Sequence, residues 1–497
     1  MKFNFTFFAL LFSFGLSAQT PRVISGPMLG YAEHRECLVW VETRCALRLN
    51  IEYVCESDDK LKGSEVIKLK HGDHCQPVVS KFVISNLQPG KTYKYKLSLD
   101  DQEIKFDYPL KFFTKELWEY RTDPPPFTFI AGSCAYINDS LYDRPGKPYG
   151  QSTSIFKGMA ETNSQFMLWL GDNTYLREVD YSSESGIRYR YRHTRRNKDM
   201  NKLMATRNNY AIWDDHDFGP NNSSKTFDLK DASLETFKEY WGNRSYGQDG
   251  KGIYSRFAWS DCDFFMLDNR YFRDEDNMPD SLLANKTQLG AHQLDWLKQS
   301  LLSSRAAFKF VVMGGQFLNV NTDQECYVYF KKERQEILDF ITFMRIKGVV
   351  FMSGDRHHTE IIKLERVDSN IIRTEEAKAL EDDTQKKDKK KEKKKKQEAI
   401  ESSELSKKDD DDEATGPKHP YTLYELTCSP MTSGGSNVMK TPEAKNPMRI
   451  TQTMVDVPNY CQMTVSGKPH KRNLLIKCFD ANNELRWEFT INQAELE

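Results

Sequence analysis

Three separated stretches of this 497-residue sequence place metal-ligand side chains directly behind an apolar run. Phe166-Met167-Leu168-Trp169-Leu170 leads into Gly171-Asp172-Asn173-Thr174-Tyr175. Tyr210-Ala211-Ile212-Trp213 leads into Asp214-Asp215-His216-Asp217. Val349-Val350-Phe351-Met352 leads, one serine later, into Gly354-Asp355-Arg356-His357-His358. A short apolar run reads as a buried strand. Carboxylates, imidazoles and a guanidinium are costly to bring near a core unless something pairs them. A metal ion with an anionic substrate does so, and so does a knot of salt bridges. A single Asp behind a strand is commonly a cap or turn residue. Three strand ends that each supply Asp, two of them with His, point instead to metal ligation.

Other residue types extend the set. Cys134 ends the run Phe127-Thr128-Phe129-Ile130-Ala131-Gly132-Ser133, and Tyr175 closes the Asp172 motif. A thiolate and a phenolate suit ferric iron, and a thiolate also suits zinc. Carboxylates suit harder cations such as calcium or magnesium. The mixture suggests a heterometallic site, although a buried thiol or half a disulfide also accounts for Cys134. Asn221-Asn222 follow the Asp215 motif in a Gly-Pro loop, where they serve as ligands, as contacts to substrate oxygens, or simply as turn residues. Arg356 sits between two ligand candidates and can make bidentate contacts to a phosphoryl group. Arg270, after the run Phe264-Phe265-Met266-Leu267, can act similarly. His358 falls on the opposite side of an extended backbone from His357 and stays outside the site.

The elements that must position these groups follow from the same runs. With Phe308-Lys309-Phe310-Val311-Val312-Met313 added, six apolar runs between residues 127 and 352 end in a small or ligand-type residue. Amphipathic stretches at 293–302 and 337–344 read as helices. Together they give an α/β pattern, in which ligands sit beyond the carboxyl ends of the strands. Residues 22–115 read differently. Period-2 alternation at Leu47, Leu49, Ile51 and Tyr53, and a Pro-Gly turn before Tyr93-Lys94-Tyr95-Lys96-Leu97, predict a β-sandwich. Its segment from Leu87 to Leu97 resembles a fibronectin type III module, and packing against the second domain is its expected role. Pro124-Pro125-Pro126 marks the boundary, so the second domain is expected over 125–497. Strands are expected at 423–427, 473–479 and, as a final edge, 487–491.

Composition sets the limits. A net charge of -1 implies no global electrostatic partner, and no specific nucleic-acid partner is inferred. Residues 1–18 read as a secretory signal of bacterial type: Lys2, an apolar core from Phe7 to Phe12, and a cut after Ala18. The expected location is periplasmic or secreted, with no transmembrane anchor after cleavage, as a monomer. Export permits disulfides; of ten cysteines, Cys37, Cys45, Cys55 and Cys75 are the best candidates. Residues 374–416 carry a lysine block and then an acidic block with almost no apolar residues, and are read as a disordered, solvated insertion.

Jointly these motifs carry a resemblance. Gly132-Ser133-Cys134, Gly171-Asp172-Asn173-Thr174-Tyr175, Trp213-Asp214-Asp215-His216-Asp217 with Asn221-Asn222, and Gly354-Asp355-Arg356-His357 stand in the order found in the PhoD-like alkaline phosphatases. That family belongs to the calcineurin-like metallophosphoesterases. The resemblance covers nearly the whole mature chain and implies a four-layer sheet-and-helix sandwich behind the β-sandwich. It implies iron together with calcium, with other divalent metals as alternatives. Cys134 and Tyr175 would hold iron and Asp172 would bridge. Asp215, Asp355 and His357 would complete the cluster, with Asn222 a further candidate. His216 matches a histidine that contacts substrate or leaving group. Two features depart from the family: the filler Asn173-Thr174 between Asp172 and Tyr175, and the insertion at 374–416.

The expected function is hydrolysis of phosphate mono- or diesters by a metal-activated hydroxide, with His216 and Arg356 as catalytic residues. Arg270 and Asn221 are the expected substrate contacts. The alternative is an exported binding or adhesion protein with a structural metal site and a polyanion-binding charged loop.

Overall fold

The structure, a computed structural model, describes residues 21–70, 75–279, 282–283, 285–321, 325–366 and 421–496. The expected signal at 1–18 and the charged insertion at 374–416 lie outside the described residues.

Among the described residues, twenty strands and seven α-helices follow in chain order. The first eight strands are β1 Arg22–Ala32, β2 Cys37–Arg44, β3 Arg48–Cys55, β4 Asp58–Lys68, β5 Val78–Ile84, β6 Thr92–Leu99, β7 Gln102–Glu103 and β8 Lys111–Phe113. Then come β9 Phe127–Gly132, α1 Ile155–Glu161, β10 Phe166–Leu170, α2 Glu184–Arg195, α3 Lys198–Thr206, β11 Asn208–Ile212, α4 Asp215–Phe218 and α5 Lys230–Tyr240. The last part holds β12 Ser255–Trp259, β13 Cys262–Met266, α6 Ala291–Ser303, β14 Phe308–Val312, α7 Lys331–Phe343, β15 Val349–Ser353, β16 Glu360–Arg366, β17 Tyr421–Thr427, β18 Asn459–Lys468, β19 Lys471–Asp480 and β20 Leu485–Asn492.

Two mixed sheets make the α/β part. A nine-stranded sheet runs β20-β19-β18-β9-β10-β11-β1-β2-β5, and a six-stranded sheet runs β12-β13-β14-β15-β17-β16. All six predicted apolar runs are strands, three in each sheet. Their unbroken apolar character has a direct cause, because both faces are buried. In β10, Phe166 points inward and stacks on Phe129 of β9 with ring centroids 4.9 Å apart, while Trp169 points outward against Phe156 of α1. In β14 and β15, Phe310, Val350 and Met352 face the other sheet, whereas Val311, Val349 and Phe351 pack on α6 and α7 through Leu297, Leu301, Ile337 and Leu338. Phe129 and Phe166 meet Phe264 and Phe310 across the gap at 5.3 to 5.5 Å, so an aromatic layer joins the sheets. The predicted helices at 293–302 and 337–344 are α6 and α7.

The N-terminal part is an all-β sandwich, but it is not separate from the rest. One of its sheets is β1-β2-β5, the end of the nine-stranded sheet; the other is β4-β3-β6-β7 with β8 on β6. Leu29, Val39, Leu49, Ile51, Tyr93 and Phe112 fill the space between them. Strand β1 pairs in parallel with β11 at Leu29 and Asn208. The sequence showed the alternation of β3 and β6, but gave no sign that β1 would join the α/β sheet. Of the four disulfide candidates, Cys37 and Cys55 are buried in the sandwich core as free thiols. Among the described residues no helix is long and apolar enough to cross a membrane.

Candidate metal centre

The carboxyl ends of β9, β10 and β11 from one sheet and of β15 and β17 from the other meet at one place. Each chain turns sharply there. Cys134, Asp172, Asn222, Asp355 and His357 all have left-handed backbones, with φ of 59°, 53°, 58°, 63° and 54°. Non-glycine residues adopt this region at an energetic cost, and a cluster of them is a mark of a functional site. The two sheet edges approach closely. A Cβ on Gly354 would lie 2.5 Å from Ser133 Oγ and 2.8 Å from the Leu170 carbonyl, so only glycine fits where β15 passes β9 and β10.

Asp217 ties the loops together. Its carboxylate accepts hydrogen bonds from the backbone N–H groups of Asn173, Thr174 and Asp214 at 3.0 to 3.1 Å. This fixes the Asp172–Tyr175 loop against the start of α4, which carries Asp215 and His216.

Within that frame the donor atoms converge in three overlapping sets. Cys134, Asp172 and His357 each bring one atom within 4.8 Å of the others; so do Asp172, Asp215 and His216, and so do Asp214, Asp215 and Asp355. Asp172 belongs to two sets. Its Oδ2 lies 3.8 Å from Cys134 Sγ, and its Oδ1 accepts from the His216 backbone N–H at 3.2 Å. Tyr175 Oη is 3.2 Å from His357 Nε2. Asn222 contributes its backbone: its N–H donates to Asp215 Oδ2 at 2.7 Å, while its exposed side chain accepts from Asn221 Nδ2. Asn221 stands at the mouth of a cleft beside the centre.

The electrostatics are those of buried carboxylates crowded together. Burial, then the carboxylates of Asp215, Asp214, Asp217 and Asp355, push the Asp172 carboxyl well above its usual range. Asp355 is raised by burial and by Asp214 and Asp215. Burial, aided by Asp172, raises the Cys134 thiol and the Tyr175 phenol. Asp215 is the exception: burial would raise it, but His216, Arg270 and the Asn222 N–H outweigh that and hold it low. Burial lowers His216, and brings His357 down to about 4. Asp215 Oδ1, Asp214 Oδ2 and His216 Nδ1 are buried without a hydrogen-bond partner. Such orphaned acceptors cost free energy that a cation would recover. A thiol, a phenol, four carboxyls and two imidazoles fit a metal cluster.

Both arginines foreseen near substrate are buried. Arg270 is 1% exposed; its Nε donates to Asp214 Oδ1 at 2.5 Å and its Nη1 to Glu325 at 2.7 Å, with Nη2 3.9 Å from Asp215. It counters the carboxylate cluster from behind. Arg356 is also buried. Its Nη2 donates to Glu443 at 3.0 Å, while Nε and Nη1 have no hydrogen-bond partner. His358 turns away toward Glu360, as expected.

Some participants escaped the sequence reading. Ser429, in the loop after β17, donates to Cys134 Sγ at 3.0 Å and accepts from the His357 N–H at 3.0 Å. Tyr149 Oη is 3.0 Å from His357 Nδ1, and Ser433 Oγ is 3.3 Å from Nε2. The run Leu423-Tyr424-Glu425-Leu426-Thr427 ending in Cys428-Ser429 repeats the strand-then-ligand pattern and was the available signal. Tyr149 has none.

Two packed mixed sheets flanked by helices, with acid, imidazole and thiol groups at converging strand ends, define a metallophosphoesterase-like α/β fold. The comparisons with known proteins agree. Residues 129–446 match the family model described as PhoD-like phosphatase, and residues 20–115 match one described as a domain of unknown function (DUF7800). The solved structure of PhoD superposes with a TM-score of 0.65 at 17% identity, over 93% of this chain and 91% of that one. The purple acid phosphatase PPD1 from yellow lupin (Lupinus luteus) seeds superposes with a TM-score of 0.58 at 10% identity, over 94% of this chain and 74% of that one. No curated protein matches the chain. The chain belongs to the PhoD-like phosphatase family, and it is a phosphoester hydrolase.

Proposed function

We propose that the chain is an exported, metal-dependent phosphoesterase acting on phosphate mono- or diesters, monomeric in solution. The observation that carries this reading is the convergence of Cys134, Asp172, Asp215, Asp355 and His357 on one point with buried, unpartnered ligand atoms among them. Cys134, Tyr175, Asp172 and His357 would hold one cation, iron by family resemblance. Asp172, Asp215 and Asp355, with Asn222, would hold calcium or another divalent ion. Bound cations supply Lewis acidity toward phosphoryl oxygens and a water acidic enough to attack near neutral pH.

The chain's own groups do the rest. Tyr149 on Nδ1 fixes the tautomer of His357 and turns Nε2 to the centre. Arg356, held by Glu443, has free N–H groups on Nε and Nη1 for a phosphoryl oxygen. Burial lowers the His216 pKa, and its ring can hydrogen-bond the departing oxygen while Asp172 anchors its backbone. Arg270 keeps Asp214 and Asp215 ionised. The N-terminal sandwich, which we read as fibronectin type III-like, braces the sheet; its shared strands support that role.

The test is elemental analysis of the purified protein, with assays on aryl phosphate mono- and diesters before and after chelation. Iron with calcium, and activity lost with the metal, are expected. Activity that survives complete chelation, or survives Asp172→Ala combined with Asp355→Ala, overturns the proposal.

A further inference from the structure

Beside the centre lies a cleft of about 410 Å³ that the chemistry above does not use. That is a volume suited to a small organic group rather than to water alone. Tyr175 and His216 are among its lining residues, so a group bound there lies beside the centre.

Its wall is aromatic. The His216 and Tyr175 rings are 4.4 Å apart between centroids, Tyr175 and Tyr136 are 4.9 Å apart, and Tyr136 and Tyr149 are 5.0 Å apart. These rings form one connected aromatic cluster behind the cleft, with Tyr136 and Tyr175 buried and Tyr149 at its exposed end. Tyr149 is 46% exposed although its hydroxyl is committed to His357 Nδ1, so its ring stands free in the cleft. A large aromatic ring held open beside a reaction centre is a contact surface for another flat group.

The charges around the cleft nearly balance, three cations against two carboxylates. Arg144, Lys147 and Arg177 on its rim stand against Asp143 and Glu178. Arg144 pairs with Glu178 at 2.9 Å, and Arg177 lies 3.9 Å from the same carboxylate. Little positive charge is left to draw a second phosphate.

We propose that this cleft is the leaving-group subsite, and that it selects phosphoesters of alcohols that carry a planar aromatic ring: nucleosides or arylmethyl alcohols. The assignment rests on the phosphoesterase reading above. Stacking on the tyrosine wall lowers the barrier for such esters relative to saturated ones of the same size.

The experiment compares kcat/KM for benzyl phosphate and cyclohexylmethyl phosphate, whose alcohols leave with similar ease, on the metal-loaded full chain. A second pair, adenosine 5′-monophosphate and ribose 5-phosphate, separates a nucleoside source from a simple aryl one. A preference for the aromatic member of roughly three- to tenfold is expected from ring stacking. Tyr149→Leu should bring the ratio toward one, whereas Tyr149→Phe, which keeps the ring and removes the hydroxyl, should preserve it. Ratios cancel any general loss of turnover caused by disturbing His357. A wild-type ratio of one in both pairs, a ratio unchanged in Tyr149→Leu, or a ratio lost in Tyr149→Phe overturns the subsite and leaves the phosphoesterase reading standing. Hydrolysis of none of the four monoesters and of no aryl phosphate diester removes the metal-dependent reading, and the subsite with it.

Discussion

Ser429 shows how a single hydroxyl can serve a centre without ligating it. It donates to Cys134 Sγ and accepts from the His357 backbone, linking donors that come from different sheets. Groups that orient ligands commonly matter about 10- to 100-fold in metal affinity or activity. Ser429→Ala is expected to fall in that range, read by metal titration. Glu425 supplies a pH prediction away from the metal. Two backbone N–H groups, of Phe317 and Leu318, donate to its carboxylate, yet burial outweighs them and lifts its pKa from 4.5 to about 7. A raised acid contributes stability that is fully present below pH 4.5 and lost as pH rises through 7. The wild type is expected to lose roughly 3 kcal/mol on this account, and Glu425→Gln to flatten that slope in urea titrations at pH 4.5 to 7.5. At this scale Asp172, Asp215, Asp355 and His357 were legible in the sequence as candidates, because costly groups stood directly behind apolar runs. It could not show the direction of Arg270, since a guanidinium after a strand reads alike whether it meets substrate or the carboxylates of Asp214 and Glu325.

Strands were the most legible elements, and the reason is their double burial. The runs at β10, β14 and β15 have no polar face because helices cover one side and the aromatic layer the other. The surface-facing pieces, such as β4 and the short helix α1, offered weaker patterns. Nor did order alone say that the six runs divide between two sheets. That division makes the crossing at Gly354 sensitive. Gly354→Ala places a methyl against Ser133 Oγ and against a backbone carbonyl that cannot move aside. A cost of about 1–3 kcal/mol is expected from overpacking, with Tm lowered and metal affinity reduced together. A fall in Tm with unchanged metal affinity would show that the crossing does not position the centre.

For the whole molecule, the boundary at Pro124-Pro125-Pro126 is real in sequence texture but not in hydrogen bonding. Asn208 and Asn209 donate to the carbonyls of Gly30 and Leu29, and Trp40 Nε1 donates to that of Glu239. The fully buried Glu42 accepts from Ser25, Arg192 and Tyr240. Cutting at the prolines leaves β11 as a bare edge and strands these partners. An exposed long edge invites association. Residues 125–497 expressed alone are therefore expected to aggregate, and residues 22–497 to stay soluble, as checked by size-exclusion chromatography.

The meeting of two sheets at one centre has a last consequence. Asp172 and Asp215 ride on one layer, Asp355 and His357 on the other, and the packed interior, with cross-links such as Arg270 to Asp214 and Ser429 to Cys134, keeps the halves in register. Turnover is then a gauge of the sandwich itself. Any sliding of one layer over the other separates the ligands before the strands come apart, so in rising denaturant activity should fade at or before the loss of far-ultraviolet dichroism, never after it.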